Sequence, residues 1–338
     1  MTDRRLSDAV QTGRENNLDA LRLGAAVCVV VSHAWPLSLG VQTLQPLEAA
    51  TGWTLGKWAV LVFFVLSGFL IARSAELRRQ KPLAFWAARA NRLLPALLVA
   101  LPITVVLALL SGADPDALAL LVYYLRGATL VSLEHQIAGA FAGNPLPLVV
   151  NGPLYTLFYE VLCYGFAFAL VVLVKAQWRV PALLGAMMAV GCANATLDHL
   201  RLTVGTPFFL AFAWGALAYM LRDKIAVGAN HTMLAAGALV LFLCVGAPKE
   251  IVLPVLCYLA LSVGYGLPAL RLPGDLSYGT YLYGWPITQF LVHTFGPMTP
   301  ASLAMAGILA TLPCAALSWT LIENRRYFVP ALTAKQGA

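Results

Sequence analysis

The chain has few charged residues for its length. Only 11% of its 338 residues are Asp, Glu, Lys or Arg, whereas 60% are hydrophobic, and the mean hydropathy is +0.78. Soluble domains carry about a quarter charged residues, because they need a polar surface. The composition therefore excludes an ordinary soluble domain and predicts a polytopic membrane protein.

Cysteine is also scarce and has no regular spacing. The six cysteines all fall in apolar segments and are Cys28, Cys163, Cys192, Cys244, Cys257 and Cys314. Without paired spacing they predict neither a disulfide framework nor a metal site, and small core residues are the simplest interpretation. The sequence also lacks phosphate-cradling glycine loops, the GxSxG pattern and zinc motifs, so it gives no support to those classes of enzyme.

The chain contains many long hydrophobic runs. Runs of about 17 to 25 residues are typical of membrane-spanning helices. They predict about ten spans, at 18–39, 54–74, 93–111, 152–174, 180–197, 203–221, 225–246, 250–268, 276–295 and 301–322. The predicted fold class is therefore an all-α, polytopic membrane helical bundle, and the additional stretch 117–131 is interpreted as a re-entrant or surface helix.

Positive charge is concentrated on one side of these spans. With a cytoplasmic N-terminus, 17 Lys and Arg residues fall in inner segments and 4 in outer segments. This bias predicts an even number of spans with both termini in the cytoplasm. The net charge of +7 is then explained by membrane topology rather than by binding to nucleic acid.

No Ser-, Gly- or Pro-rich linker divides the chain, and no repeat is visible. We expect one transmembrane domain over residues 18–325, with a cytoplasmic N-terminal tail, 1–17, and a cytoplasmic C-terminal tail, 326–338. The first 17 residues do not resemble a cleaved signal peptide, so we interpret the first span as retained.

Two connections between spans stand out. The inner loop 75–92 is strongly basic and contains an amphipathic stretch that we expect to end at Pro95. The outer connection 112–151 is long and nearly free of cations. Long connections are often functional, so these two are candidates for the two sides of a reaction site.

Arg22 and His33 lie on one predicted span. Eleven residues of helix make three turns plus about 20°, so both side chains lie on one face, roughly 16 Å apart along the axis. Ionisable groups in a span are expensive and suggest function. A neutral His33 could act as a general base, although a structural histidine is the alternative. Arg22 could bind phosphate, or it could simply extend to the membrane surface.

Glu160, Arg89 and Arg92 are the other candidates. Glu160 lies inside an apolar span, where it could bind an arginine or orient an imidazole, or form an ion pair that only joins two helices. Arg89 and Arg92 share one helical face and suit phosphate, although the positive-inside bias alone would explain them. Ser67-Gly68 would permit close approach of helices.

Together these residues resemble the acyltransferase-3 family of bacterial inner-membrane proteins, which O-acylate carbohydrates. The family pattern of Arg or Lys, ten residues and then His matches Arg22 and His33. Further matches, over nearly the whole chain, are Asn17-Leu18-Asp19-Ala20-Leu21-Arg22, Phe63 to Leu70, Arg89-Ala90-Asn91-Arg92, Asn151 to Glu160, Ser277 to Leu282 and Leu321-Ile322-Glu323.

The chain departs from the family pattern at three places. Leu61 stands where many members have an acidic residue, and Gly284 stands where many have a histidine before Trp285-Pro286. Tyr155-Thr156 replaces the usual Trp-Ser. A catalytic step assigned to the second histidine is therefore not carried over to this chain.

The resemblance implies transfer of an acyl group, with acetyl favoured, from cytoplasmic acyl-CoA to a hydroxyl of an extracytoplasmic or lipid-linked glycan. We expect His33, Arg22 and Glu160 to be catalytic and Arg89 and Arg92 to bind the donor. Expected partners are acyl-CoA, a glycan or lipid-linked saccharide acceptor and membrane lipid, without metal or nucleic acid. The expected location is the cell inner membrane.

A secondary transporter or glycan flippase is the alternative, because intramembrane Arg, Glu and His also serve transport. Transporters often show two related halves with broken helices, and the sequence shows no such symmetry. A non-catalytic membrane scaffold is a third alternative, but it leaves the ionisable residues of the spans unexplained.

Overall fold

The computed structural model describes residues 4–11, 16–130, 135–196, 204–325 and 327–328. The protein is 75% helical and nearly all-α. Two short strands, β1 (Arg4–Arg5) and β2 (Ala226–Val227), pair in antiparallel fashion. The predicted helical fold class is therefore confirmed.

Thirteen α-helices follow one another along the described residues. They are α1 (Leu6–Gln11), α2 (Leu18–Leu39), α3 (Glu48–Thr51), α4 (Leu55–Leu77), α5 (Pro82–Leu110), α6 (Ala117–Thr129), α7 (Tyr155–Leu173), α8 (Arg179–Thr196), α9 (Thr206–Met220), α10 (Ala229–Cys244), α11 (Lys249–Gly266), α12 (Ser277–Phe295) and α13 (Pro300–Ser318). A 3-10 turn, Gly152–Leu154, leads into α7, and a π-helical turn, Trp319–Glu323, continues α13.

Six helices in the described part of the chain are long and apolar enough to cross a membrane, so the chain is a membrane protein. They are α2, α4, α5, α7 with its 3-10 turn, α11 and α13 with its π-helical turn. Each of the ten predicted segments contains a helix, but the count of about ten spans is not confirmed. The helices α9 and α10 have only 15 and 16 residues, whereas crossing the hydrocarbon core takes about 20.

The helix α5 differs from its predicted segment. It begins at Pro82 and continues through Pro95 and Pro102 to Leu110, so the expectation that the amphipathic stretch ends at Pro95 is wrong. Proline is tolerated in membrane helices because neighbouring groups satisfy the backbone carbonyls that it leaves without a donor. The amphipathic stretch from Pro82 and the following apolar span are therefore one continuous helix.

The chain divides into two compact units. The first comprises the described parts of Met1–Ala25, Leu47–Arg79 and Tyr159–Pro273. In this unit α4 and α9 cross at two glycines. A Cβ atom on Gly68 would lie 1.9 Å from the carbonyl oxygen of Phe212, and one on Gly215 would lie 2.0 Å from that of Val65. The predicted close approach at Ser67-Gly68 is therefore confirmed.

The second unit comprises the described parts of Ala26–Pro46, Gln80–Phe158 and Gly274–Ala338. Here α12 packs along α13, and a Cβ atom on Gly279 would lie 2.9 Å from the Cα atom of Ala315. A buried apolar cluster joins α2, α12 and α13 and consists of Ala34, Leu37, Trp285, Val292, Leu303 and Ala304.

The boundaries predicted for the transmembrane domain, 18–325, stay a prediction. In the N-terminal segment 1–17, the side chains of Leu6 and Ala9 are fully buried. Asn17 accepts a hydrogen bond from the backbone N–H of Leu270 (2.6 Å) and donates to three carbonyls at the end of α11. Apart from residues 327 and 328, the predicted tail 326–338 lies outside the described residues.

Candidate active site

The helix α2 carries both Arg22 and His33 without interruption, as the sequence predicts. A guanidinium nitrogen of Arg22 lies 3.4 Å from a carboxylate oxygen of Asp19, and the Arg22 side chain is 20% exposed. The first part of α2, with Arg22, belongs to the first unit, and the part with His33 belongs to the second.

His33 is half-buried and meets the indole of Trp285 edge to face, with ring centroids 4.8 Å apart and planes at 72°. The indole nitrogen of Trp285 donates a hydrogen bond to the carbonyl of Val149 (3.1 Å). A Cβ atom on Gly152 would lie only 3.2 Å from the same ring. Trp285 is thus held on two sides, and this fixes one wall beside the imidazole.

The loop before α7 is attached to α12 by side-chain amides. Asn144 Nδ2 donates to the backbone carbonyl of Gln289 (2.9 Å), and Gln289 Nε2 donates to the carbonyl of Leu146 (2.6 Å). Asn151 is fully buried and donates to the carbonyl of Leu282 (3.0 Å). Gln289, an uncharged polar residue inside the predicted span 276–295, was the available signal for these contacts, but its partners in the connection before α7 are remote in sequence.

Gly284, which replaces the second histidine of many family members, lies directly against α2. A Cβ atom at this position would be 2.7 Å from Cγ2 of Val30. Val30 is one helical turn before His33 on the same helix. This chain therefore has no room for a larger side chain at position 284 unless Val30 moves.

The other two departures have different consequences. Leu61 is fully buried in the first unit, where an acidic side chain would need a partner. Thr156 keeps a hydroxyl group where the usual residue is serine. The Thr156 hydroxyl lies 2.5 Å from the hydroxyl of Tyr281. Tyr281 also donates to the carbonyl of Pro153 (2.7 Å), so the Thr156 hydroxyl helps to fix the start of α7 on α12.

Glu160 lies in the first unit and is half-buried on α7. One of its carboxylate oxygens accepts hydrogen bonds from the hydroxyls of Ser67 (3.1 Å) and Tyr164 (2.5 Å). The structure thereby brings together Phe63 to Leu70 and the segment ending at Glu160, two segments that the resemblance singled out separately.

Arg89 and Arg92 lie near the start of α5 in the second unit. The guanidinium of Arg92 lies 2.8 Å from a carboxylate oxygen of Asp275 and 5.4 Å from the ring centroid of Tyr278. The guanidinium of Arg89 lies 5.8 Å from the ring centroid of Phe85. The Arg92 side chain is 33% exposed, and the ion pair with Asp275 fixes its guanidinium.

Two carboxylates near Arg92 were not selected from the sequence. Asp275 accepts from the backbone N–H of Ser277 (3.1 Å), which satisfies one free donor at the start of α12. Glu323 accepts from Ser318 Oγ (2.7 Å), and its second carboxylate oxygen is buried without a hydrogen-bond partner among the described residues. The local sequence indicated Asp275 only through its position two residues before Ser277, where α12 begins.

A second ionic cluster joins helix ends in the first unit. Glu76 accepts from the hydroxyl of Tyr219 (2.7 Å) and lies 3.5 Å from Arg179 and 3.9 Å from Arg222. Arg179 is buried and also donates to the carbonyl of Val171 (2.8 Å). These arginines, which the sequence explains by membrane topology alone, also hold helices together.

The part of the chain that the structure describes contains no set of candidate metal ligands. No group of three His, Cys, Asp or Glu side chains there could hold a metal ion. All six cysteines are free thiols, and Cys163 and Cys257 are buried.

The fold and these side chains define a class of protein. Apolar helices long enough to span a membrane contain a histidine, an arginine and a carboxylate, which is typical of membrane-embedded enzymes and transporters. The sequence profile of the acyltransferase-3 family, described as an acyltransferase domain, matches residues 15–320. The chain belongs to this family and is a membrane acyltransferase.

Three curated proteins illustrate the similarity. An "O-acetyl transferase" of Shigella phage Sf6 is 26% identical, covering 92% of this chain and 96% of that protein. The "Exopolysaccharide production protein ExoZ" of Rhizobium meliloti (strain 1021) is 30% identical, covering 82% and 88% respectively. "Nodulation protein 10" of Rhizobium leguminosarum bv. viciae is 32% identical, covering 94% and 95%. No solved structure matches the chain.

Proposed function

We propose that the protein is an O-acetyltransferase that moves an acetyl or other acyl group from cytoplasmic acyl-CoA to a hydroxyl of a glycan. The match to the acyltransferase family over residues 15–320 carries this proposal. The names of two relatives, an O-acetyl transferase and an exopolysaccharide production protein, support the acetyl group and the carbohydrate acceptor. The family pattern of Arg22 and His33 on α2 supports the location of the chemistry.

His33 is the proposed general base. Its imidazole takes the proton of the acceptor hydroxyl while the hydroxyl oxygen attacks the thioester carbon, and the thioester bond to sulfur then breaks. The proton passes from the imidazolium to the CoA thiolate. The alternative is transfer through an acyl-histidine, in which the imidazole nitrogen attacks the thioester carbon and releases the CoA thiolate, and the acceptor hydroxyl then attacks the acyl-imidazole. The contact with Trp285 supports the role of His33, because a fixed ring position is needed for proton transfer.

Arg89 and Arg92 are the proposed binding residues for the donor. Guanidinium groups offer several donors to phosphate, and CoA carries phosphates at the end remote from its thioester. The pairing of Arg92 with Asp275 supports a fixed orientation of its guanidinium on a side chain that is 33% exposed. Arg22, which lies on the same helix as His33, is a further proposed ligand of the donor phosphate or a residue that sets the electrostatics of the site.

Glu160 is proposed as a catalytic residue on the basis of its position in an apolar helix and of the family pattern. A carboxylate there needs hydrogen-bond donors, and Ser67 and Tyr164 supply two. We propose that it sets the electrostatics of the reaction rather than acting as a nucleophile. Its conservative variant, Glu160→Gln, keeps an acceptor for both hydroxyls and so isolates the effect of charge.

The proposed location is the cell inner membrane, with both termini in the cytoplasm. The excess of Lys and Arg in the predicted inner segments supports this orientation. Donor and acceptor would then approach from opposite sides, with the acceptor an extracytoplasmic or lipid-linked glycan. The basic inner loop 75–92 and the outer connection 112–151 are the proposed segments on the two sides.

The test uses the full chain in lipid nanodiscs, radiolabelled acetyl-CoA and membrane vesicles of the native host as the source of acceptor. We expect label to enter glycan and free CoA to be released. His33→Ala should lower the rate at least a hundredfold, because general-base catalysis contributes about 10²–10⁴. His293→Ala is the matched control, since His293 is an exposed histidine on α12.

Two results would contradict the proposed enzyme mechanism. Equal rates of CoA release in the two histidine variants would refute the role of His33. Proton-coupled uptake of a glycan that does not depend on acetyl-CoA would instead support the transporter alternative.

A further inference from the structure

Two lysines in the first unit share one indole ring. The ammonium nitrogen of Lys57 lies 4.6 Å from the ring centroid of Trp53, and that of Lys249 lies 5.6 Å from it. Lys249 also donates a hydrogen bond to the backbone carbonyl of Thr51. All three long side chains are half-buried. Two positive charges are therefore held next to each other by side chains that are partly removed from water.

The short connection before α4 is rigid enough to keep this arrangement. Thr54 caps α4 by accepting a hydrogen bond from the backbone N–H of Lys57 (3.0 Å). The hydroxyl of Thr51 accepts from the indole N–H of Trp58 (2.9 Å). Gly52 has a φ of 71°, which suits glycine, at the turn between them. Trp53 is thus placed by fixed neighbours on both sides.

The electrostatics of this cluster are unfavourable without a further anion. Lys57 lies in the first turn of α4 and Lys249 is the first residue of α11, and the N-terminal end of a helix is itself positive. Neither ammonium forms an ion pair with a carboxylate among the described residues. The Trp53 ring offsets only part of this charge, since a cation–π contact does not neutralise an ammonium group.

We propose that Trp53, Lys57 and Lys249 bind the phosphate group of an anionic membrane lipid. Both lysines lie in the first turn of helices that are long and apolar enough to cross the membrane, so the cluster lies where lipid headgroups are expected. Tryptophan is enriched at that level, and lysine binds phosphate as a point charge. The site is independent of the proposed acyl transfer, because none of its residues is assigned to the reaction.

The experiment is native mass spectrometry of the full chain released from a neutral detergent. The protein is titrated with dimyristoyl phosphatidylglycerol, with the zwitterionic dimyristoyl phosphatidylcholine and with inorganic pyrophosphate. We expect retention of phosphatidylglycerol at concentrations at which the other two do not bind. The variant Lys57→Gln/Lys249→Gln should bind phosphatidylglycerol at least tenfold more weakly.

Matched variants separate a specific site from a general effect of charge. Lys175→Gln/Lys224→Gln removes the same charge at exposed positions and should bind as the wild type does. Lys57→Arg/Lys249→Arg keeps both charges and should stay within about threefold of the wild type. If the double glutamine variant fails to fold, each single glutamine variant is measured, and each should lose threefold or more.

Three outcomes would overturn the proposal. Wild-type retention of phosphatidylglycerol in the glutamine variants would show that the lysines do not bind the lipid. Equal binding of phosphatidylcholine would remove the requirement for an anionic lipid. Pyrophosphate binding as tightly as the lipid would assign the cluster to free phosphate.

Discussion

Replacing Gly284 by alanine would place a methyl carbon 2.7 Å from Cγ2 of Val30. Carbon atoms in good contact lie about 3.5–4.0 Å apart, so α2 or the Val30 side chain has to retreat by about 1 Å. Overpacking of this kind costs about 1–3 kcal/mol. Alanine is also about 1 kcal/mol more favourable than glycine inside a helix, which partly offsets that cost.

The variant Gly237→Ala corrects the comparison for the higher helix propensity of alanine. Gly237 lies within α10, and a Cβ atom there would meet nothing within 4 Å. The difference in free energy of unfolding between Gly284→Ala and Gly237→Ala therefore measures overpacking alone, and we expect about 1–3 kcal/mol. Unfolding in a graded mixture of neutral detergent and dodecyl sulfate measures both variants.

A double-variant cycle with Val30→Ala completes the test. The smaller side chain makes room for the new methyl group, so the two substitutions together should be less harmful than the sum of their separate effects, by about 0.5–2 kcal/mol. Gly284→Ala alone should also lower transfer activity, because Val30 lies one turn before His33. The double variant with Val30→Ala should recover that activity. Equal stability of Gly284→Ala and Gly237→Ala, or strict additivity in the cycle, would refute the close contact.

Two further predictions concern other parts of the site. Arg89→Ala and Arg92→Ala should each weaken binding of acetyl-CoA more than Lys81→Ala does, because the arginines are the proposed phosphate ligands, and equal affinities by calorimetry would remove that assignment. Ser67→Ala removes a hydrogen bond of 3.1 Å to the carboxylate of Glu160 and should lower the free energy of unfolding by about 1.5 kcal/mol. An unchanged unfolding curve would mean that this bond does not stabilise the protein.

Local pattern predicts much of the helical structure. The predicted span 18–39 coincides with α2, because Asn16-Asn17 and Gly40 flank this largely apolar run on its two sides. The additional helix predicted at 117–131 is present as α6 (Ala117–Thr129), and its location at the surface or as a re-entrant segment stays a prediction. The start of α5 is missed, because the rule that proline ends a helix fails where the surrounding helices satisfy the backbone.

The contacts of the candidate site are less predictable. Nothing in the local sequence pairs His33 with Trp285 or Arg92 with Asp275, since each pair is brought together by packing of helices far apart in the chain. The chemical types of residue are nevertheless visible in the sequence. An ionisable side chain within an apolar run is conspicuous whatever its partner is.

The crossing of α4 and α9 constrains how the protein can move during a reaction cycle. Each of its two glycines faces a carbonyl of the opposite helix at a distance that only a hydrogen atom fits. The nearest residues on the same face of each helix lie three or four positions away, about 4.5–6 Å along the axis, and all of them except glycine carry a Cβ atom that would not fit there. The contact therefore resists sliding of α4 along α9, so that a movement admitting substrate meets less resistance along other helix boundaries.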